Sequence, residues 1–329
     1  MTRNARANYL HKSGFSLNMF TDDEFQQVHL ATLEVLWQEG INVENEEAMK
    51  LFEDAGAVVD RSARKVKIKP YMVEEAIASA PSTVVMCGRD PEKDCVLDSS
   101  RVNFTTFGAG VGIYDIDSNE YRATVLQDVA DTARVADAVN TVDIYSHAVS
   151  AGPSVPKASV DLHEARAFLS NTTKHCMHID LTCGANAQRY IEMGAAIVGG
   201  KDKLRERPII SALICPTSPL QLNNECCEII MSTSRAGIPC NILSMAMSGG
   251  TAPITLAGTL VIHNCEVLSG IVLHQLAEKG SPVLYGSSTT TFDMVNMTAP
   301  VGSPELGMFG ASVASLAQFY SLPSYLAGT

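Results

Sequence analysis

Cys240-Asn-Ile-Leu-Ser-Met-Ala-Met247-Ser-Gly-Gly250 is a short apolar run that ends on hydroxyl and glycine residues. A long apolar segment, Thr255–Glu278, follows it, and then a second short run, Val283-Leu-Tyr-Gly286. Short β-branched and apolar runs separated by helix-length segments predict parallel strands joined by crossover helices. The same grammar extends in both directions. Upstream the predicted strands are Val142–Val149, His175–Ile179 and Ile209–Cys215, and downstream there is Ser324–Ala327. The helices between them are Val160–Ser170, Asn186–Val198, Pro219–Ala236, Thr255–Glu278 and Pro304–Tyr320. Ser218-Pro219 and Ser303-Pro304 both read as an N-cap serine followed by an N1 proline. The expected fold is α/β: a (β/α)8 TIM-type barrel, incomplete, with about six βα units present. An open doubly wound sheet also accepts six strands.

A different pattern precedes this region. Thr21 and Glu24 form a capping box, Phe20 and Phe25 a hydrophobic staple, and Gly40 a stop, which predicts a helix to about Glu39. A second helix is expected from Asn45 to Gly56, strands at Val58–Val59 and Val66–Ile68, and a third helix opened by Pro70. Val84–Cys87, Val102–Phe107, Gly112–Ile116 and Tyr121–Val125 read as short strands, with Asp117-Ser118-Asn119 as a hairpin turn. Thr124 and Gln127 predict a capping box for a helix reaching Val139. The chain thus divides into an N-terminal helical and β-hairpin extension, 1–123, and a partial barrel, 124–329.

With 46% hydrophobic residues in 329, the chain can bury a large core. The net charge of -12 argues against a nucleic-acid partner, because phosphate binding needs a concentrated basic face. Nine cysteines with no C-x-x-C pair predict reduced, buried thiols in the cytoplasm, not disulfides or a zinc knuckle. The opening residues lack the apolar core of a secretory signal. Thr255–Leu276 is broken by His263, Asn264, Glu266 and His274, so it reads as a buried helix and not a membrane span.

Gly108-Ala-Gly110-Val-Gly112 resembles a nucleotide or S-adenosylmethionine loop, but such a loop needs a helix next, and Ile113–Ile116 reads as strand. His175-Cys-Met-His178-Ile-Asp180 holds possible metal ligands. On a strand, however, His178 and Asp180 share a face with Cys176 while His175 lies opposite, so no metal is expected there. The hydroxyl-rich segments Cys215–Ser218, Ser244–Gly250 and Ser287–Asp293 all fall at the carboxyl ends of predicted strands, the face that carries the active site in a barrel. Glu305 sits at the second position of its helix beside a strand end.

At these segments the sequence resembles the trimethylamine–corrinoid methyltransferases. The resemblance is carried by Cys215-Pro-Thr-Ser-Pro-Leu220, Leu243-Ser-Met-Ala-Met-Ser-Gly-Gly250, Leu256-Ala-Gly-Thr-Leu-Val261 and His263-Asn-Cys-Glu-Val-Leu-Ser-Gly-Ile-Val272. Gly286-Ser-Ser-Thr-Thr-Thr-Phe-Asp293, Thr298-Ala-Pro-Val-Gly-Ser-Pro-Glu-Leu-Gly307 and Leu322-Pro-Ser-Tyr-Leu-Ala-Gly328 add to it, as do the regions around Leu17–Gly40 and Cys87–Asp90.

The resemblance implies a barrel enzyme that moves a methyl group from trimethylamine to the Co(I) of a cognate corrinoid protein. No D-x-H-x-x-G corrinoid motif stands out in this chain. The cobalamin is therefore expected on the partner, with none bound directly. In the trimethylamine branch a run like Leu322–Gly328 is followed by pyrrolysine, encoded by an amber codon, whose imine orients the amine. That residue is expected just after Thr329, so the catalytic residue is expected outside the chain, which would be inactive by itself. A pyrrolysine-free relative acting on a quaternary amine such as glycine betaine is the alternative, as is a non-catalytic fragment that only docks the corrinoid protein. Strand-end position makes Phe292, Asp293 and Glu305 candidates for the electrostatic recognition of a methylated ammonium. His178, Asp180, Thr217, Ser248 and Thr290 are candidates for lining the pocket. A homo-oligomer is expected.

Overall fold

The computed structural model describes residue 17 and residues 19–98, 101–106 and 108–327. Phe107, at the end of one predicted strand, and Gly328 and Thr329, at the end of the family-like run, lie outside the described residues.

The first helix, α1 (Asp22–Gln38), starts on the predicted signal. Thr21 N donates to Glu24 Oε2 at 2.7 Å, Glu24 N returns a bond to Thr21 Oγ1 at 3.3 Å, and the Phe20 and Phe25 rings lie 5.6 Å apart. Next come β1 (Ile41–Val43), α2 (Glu46–Asp54), β2 (Val58–Asp60), β3 (Lys65–Lys67) and α3 (Pro70–Ser79). Gly40 turns the chain into β1 with φ +71, and a Cβ there would lie 2.4 Å from the Val66 carbonyl oxygen, so only glycine fits.

The hairpin of β4 (Thr83–Met86) and β5 (Cys95–Asp98) was expected only in its first strand. The hairpin of β6 (Gly112–Tyr114) and β7 (Tyr121–Ala123) turns through Asn119 at φ 56, as the sequence predicts. The strand expected from Val102 does not form. Its described part makes one parallel bridge, Thr105 to Ile144, and Gly110 makes another to Val149. The segment instead runs along an edge of the barrel sheet, shielding backbone groups that would otherwise be open.

Strand and helix then alternate: α4 (Leu126–Ala138), β8 (Ile144–Ser146), α5 (Val160–Leu169), β9 (His175–His178), α6 (Gly184–Val198), α7 (Lys201–Glu206) and β10 (Ile210–Ile214). They continue with β11 (Gln221–Leu222), α8 (Asn224–Ala236), β12 (Cys240–Ser244), β13 (Met247–Ser248), α9 (Leu256–Ala277), β14 (Val283–Ser287), β15 (Thr290–Thr291), α10 (Pro304–Phe319) and β16 (Ser324–Leu326). All six expected core strands pair in parallel and in sequence, in the order β16-β14-β12-β10-β9-β8. Ser303 caps α10 as predicted, its Oγ accepting from Leu306 N at 3.3 Å.

Two predicted caps are corrected. Thr124 does not cap α4; it is buried and points its hydroxyl to the Gly110 carbonyl oxygen. Asp128 instead accepts from Val125 N at 2.8 Å, held there by a two-pronged contact with Arg122. Ser218-Pro219 does not open α8 either: that bond is cis, and the helix begins beyond it with Asn223 Oδ1 accepting from Cys226 N. The intervening residues form β11, which extends the N-terminal sheet by pairing with β1. The short helix α7 was not expected.

The six-stranded sheet is curled. A flat sheet would put its two edge strands about 24 Å apart. Yet Tyr325 Oη on β16 donates to Ser146 Oγ on β8 at 3.4 Å, across the concave side. That side is filled by Ile144, Met177, Leu213, Leu243, Leu284 and Tyr325, and the β4–β5 hairpin contributes Val84, Met86, Cys95 and Leu97. The architecture is therefore α/β, with a curled parallel half-barrel sheet.

Outside the sheet, α9 is the central helix. By length and composition it could cross a membrane, but 72% of its most apolar window is buried inside the fold. It packs against α1, α3 and α8, and its Leu268, Ile271 and Leu273 are fully buried in a core shared with Phe25, Leu36, Ile41 and Phe52 of the N-terminal elements. Each such side chain stabilises the fold by up to about 1.5–3 kcal/mol.

Candidate active site at the carboxyl ends of the strands

Parallel strands that curl together deliver their carboxyl ends to one rim, and the loops leaving them enclose a cavity of 310 Å³. Pro216 and Ser218 reach it from β10, Met245, Met247 and Thr251 from β12, and Ser288 and Thr290 from β14. Ala299, Val301 and Leu306 close it from the loop before α10 and from its first turn, and Ala327 from the end of β16. None of the described lining residues carries a charge. A cleft of similar size, 330 Å³, lies at the opposite end of the sheet among Arg205, Glu206, Glu278 and Lys279. The rim cavity is the stronger candidate, because it is predominantly apolar with a few polar groups, the composition of small-molecule sites.

The rim is held from behind by α9. Glu266 Oε2 accepts hydrogen bonds from Ser218 Oγ at 2.8 Å and Ser244 Oγ at 2.6 Å, while Oε1 accepts from Leu220 N at 3.1 Å. Burial raises its carboxyl above the ordinary range, against the pull of those three donors. One turn earlier, His263 Nδ1 lies 2.9 Å from Thr289 Oγ1. The long apolar helix thus carries two polar residues on the side facing the sheet, and both fix loops that shape the cavity.

Of the candidate residues, Thr290 is in the cavity wall. It is 5% exposed, and its Oγ1 has no hydrogen-bond partner among the described residues. Ser248 lies beside the wall, its hydroxyl donating to the Ile254 carbonyl oxygen at 2.8 Å. Thr217 is exposed between the lining residues Pro216 and Ser218, with its backbone paired to Gln221. Phe292 packs over Gly250, where an added Cβ would come within 3.0 Å of the Phe292 Cβ. The Asp293 carboxylate accepts from Val295 N, Asn296 N and Asn296 Nδ2, which hold it below the usual range. Glu305 is exposed, one residue before the lining Leu306.

His178 and Asp180 belong to the other side of the rim. Cys176 and His178 point to the helices, so the His178 ring is fully buried between Phe168 and Tyr190. Its Nε2 donates to the Asp161 carbonyl oxygen at 2.8 Å, and its Nδ1 accepts from Asp180 N at 3.2 Å. Asp180 is exposed at the rim, where crowding by the surrounding protein raises its carboxyl. Near them Glu164 accepts from Ala151 N and Ser150 Oγ, and burial pushes it up to about 7. Its Oε2 faces Nε2 of the buried His147 at 3.8 Å.

Gly108–Gly112 feeds a strand and not a helix, so no helix N-terminus stands ready for an anion there. Sequence reasoning put Ser218, Met245 and Met247 in strand-end segments on the active-site face without naming them as lining residues, and it missed Leu306 and the supporting Glu266. The one available signal was a charged residue inside an otherwise apolar helix.

The chain matches the trimethylamine methyltransferase (MTTB) family over residues 2–329. It is 53% identical over 315 residues to trimethylamine methyltransferase MttB of Desulfitobacterium hafniense, covering 96% of this chain and 63% of that protein. With MttB of Methanosarcina barkeri the identity is 47% over 330 residues, covering 99% of this chain and 66% of the relative. A glycine betaine methyltransferase of Desulfitobacterium hafniense is 32% identical over 311 residues, with 94% and 64% covered. The chain thus spans about two-thirds of the length of the curated relatives it matches. The crystal structure of the Methanosarcina barkeri monomethylamine methyltransferase MtmB shares the fold, with a TM-score of 0.53 at 13% identity, covering 97% of this chain and 70% of that one. By sequence match along nearly its whole length, the chain belongs to the trimethylamine methyltransferase family.

Proposed function

We propose that this protein takes part in moving a methyl group from trimethylamine to the Co(I) of a corrinoid carried by a separate protein, and that its fold is the larger part of a (β/α)8 barrel. The observation that carries this reading is the 310 Å³ cavity at the strand ends, apolar apart from a few hydroxyls. Three methyl groups around one nitrogen present almost only apolar surface, which methionine, valine and leucine side chains match. Holding the amine with a methyl directed at the open rim gives a separate corrinoid protein a route to it, and such alignment is a large part of what catalysis of a displacement requires. The corrinoid is then a second substrate, not a resident group of this chain.

The relatives acting on trimethylamine are 53% and 47% identical, against 32% for the one acting on glycine betaine, which favours a tertiary amine. Nine free thiols, most of them buried, fit a reducing cytoplasm. Pyrrolysine as the amine-orienting residue belongs to the same proposal, and the codon following Thr329 in the gene tests it: amber supports it and a sense codon removes it. The function itself is tested by calorimetric titration of the protein with trimethylamine, followed by incubation with a Co(I) corrinoid protein. Saturable binding is expected, and formation of dimethylamine with methyl-cobalt is expected where the pyrrolysine proposed to follow Thr329 is present. Absence of binding would overturn the reading.

A further inference from the structure

We infer that the Thr290 hydroxyl, with Ser288 beside it, selects a protonated tertiary amine over a quaternary ammonium in the rim cavity. The inference rests on the amine reading above and adds the group that discriminates.

Most hydroxyls around this rim are already committed. Ser218 and Ser244 donate to Glu266, Ser248 donates to the Ile254 carbonyl oxygen, and Thr251 Oγ1 accepts from Met247 N at 3.0 Å. Thr289 pairs with His263. Thr290 Oγ1 and Ser288 Oγ are different: both are buried, and neither has a hydrogen-bond partner among the described residues. Both residues line the cavity. Buried polar atoms in folded proteins are nearly always paired, so two unpaired hydroxyls on one apolar cavity wall call for a partner from outside the chain.

The Thr290 backbone is fixed: its N–H donates to the Ala246 carbonyl oxygen at 3.2 Å, and it pairs in register with Met247. Only the side-chain torsion is free to adjust, and one staggered step exchanges Oγ1 with Cγ2 or hydrogen at the wall. A trialkylamine is protonated at neutral pH, as a lysine amine is, and then carries a single N–H. A threonine hydroxyl can accept that bond. A quaternary ammonium carries a methyl in place of that N–H, so it would fill the cavity and leave the hydroxyl unpaired. Sites built around one hydrogen bond reject the analogue that lacks it far more strongly than a purely apolar pocket rejects an extra methyl.

The test is a titration of the 329-residue protein with trimethylammonium chloride and with tetramethylammonium chloride, for the parent, Thr290→Val, Thr290→Ser and the double variant Thr290→Val/Ser288→Ala. The parent is expected to prefer trimethylammonium by about ten- to a hundredfold, the worth of one hydrogen bond to a charged group. Thr290→Val, which keeps the shape, should bring the two cations to near-equal affinity by weakening trimethylammonium alone. Thr290→Ser should restore the preference. Unchanged preference in both Thr290→Val and the double variant would overturn the inference while leaving the amine reading intact. If the parent binds neither cation, the amine reading fails and the inference fails with it. Matching thermal melting curves for parent and variants exclude misfolding as the cause.

Discussion

Glu266 accepts a 2.8 Å hydrogen bond from Ser218 across 48 residues of sequence, tying the middle of the central helix to the loop that walls the rim cavity. The same carboxyl oxygen takes Ser244, so the ends of two neighbouring barrel strands share one buried anchor. Removing the acceptor leaves Ser218, Ser244 and Leu220 N searching for partners inside the protein. Glu266→Ala is expected to cost about 3–5 kcal/mol in urea unfolding, and Glu266→Gln, which keeps one acceptor, about 1–3 kcal/mol. Equal stability of Glu266→Ala and the parent would show that the anchor carries no load.

The buried Glu164 has a carboxyl raised from 4.5 to about 7 by desolvation. A carboxyl raised on folding contributes stability that is fully present below its unfolded value and is lost as pH rises through the folded one. Glu164→Gln, always neutral, should therefore gain on the parent between pH 4.5 and 7, by up to about 3 kcal/mol. A difference that stays flat across that window would contradict the shift.

Buried histidines act in the opposite sense. Desolvation lowers His147, His263 and His274 to about 3 and His175 to about 4. Their neutral forms stabilise the fold above the ordinary value of 6.5, and that contribution is lost as pH falls below it. His178 is lowered by burial as well, so five buried histidines outnumber the three raised carboxyls of Glu164, Glu266 and Asp180, and the melting temperature should drop below pH 6. Melting scans from pH 8 to 4 check this, and an unchanged melting temperature would refute it.

Gly286 lies where β14 meets the interior of the sheet, and a Cβ there would sit 2.2 Å from Asn241 Oδ1 and 2.9 Å from both the Leu243 Cα and the Ile242 carbonyl oxygen. Gly286→Ala should destabilise by about 1–3 kcal/mol through overpacking. Adding Asn241→Ala should relieve only part of that, since the backbone atoms remain. Full recovery in the double variant would place the whole clash on Asn241.

Glu305 is exposed, so water and salt screen its field at the cavity. Glu305→Gln is expected to weaken trimethylammonium binding by no more than about threefold at low salt, with the effect gone at 1 M salt. A tenfold loss that persists in salt would move the carboxylate into the recognition site itself.

Local chemistry made much of the architecture legible. The Thr21–Glu24 box, the Asn45 and Thr255 caps and the Ser303-Pro304 start each lie within four residues of the backbone they satisfy, so the sequence alone places those helix starts. The six apolar runs that became the parallel sheet were legible for the same reason, since a strand buried on both faces needs a continuous apolar stretch. Where a distant partner competed, local signals failed. Arg122 drew Asp128 into the cap that Thr124 was expected to supply, and pairing with β1 turned the start expected at Ser218-Pro219 into β11.

The sequence also pointed to the strand ends where the cavity lies, because parallel connectivity puts every strand's carboxyl end on one side. Which hydroxyls are spent and which are free was decided only in three dimensions. Thr290 and Ser248 look alike in sequence, yet one lines the cavity with no partner among the described residues and the other is bonded to Ile254. A side chain's partner depends on contacts between residues tens to hundreds of positions apart, and no short window of sequence contains them.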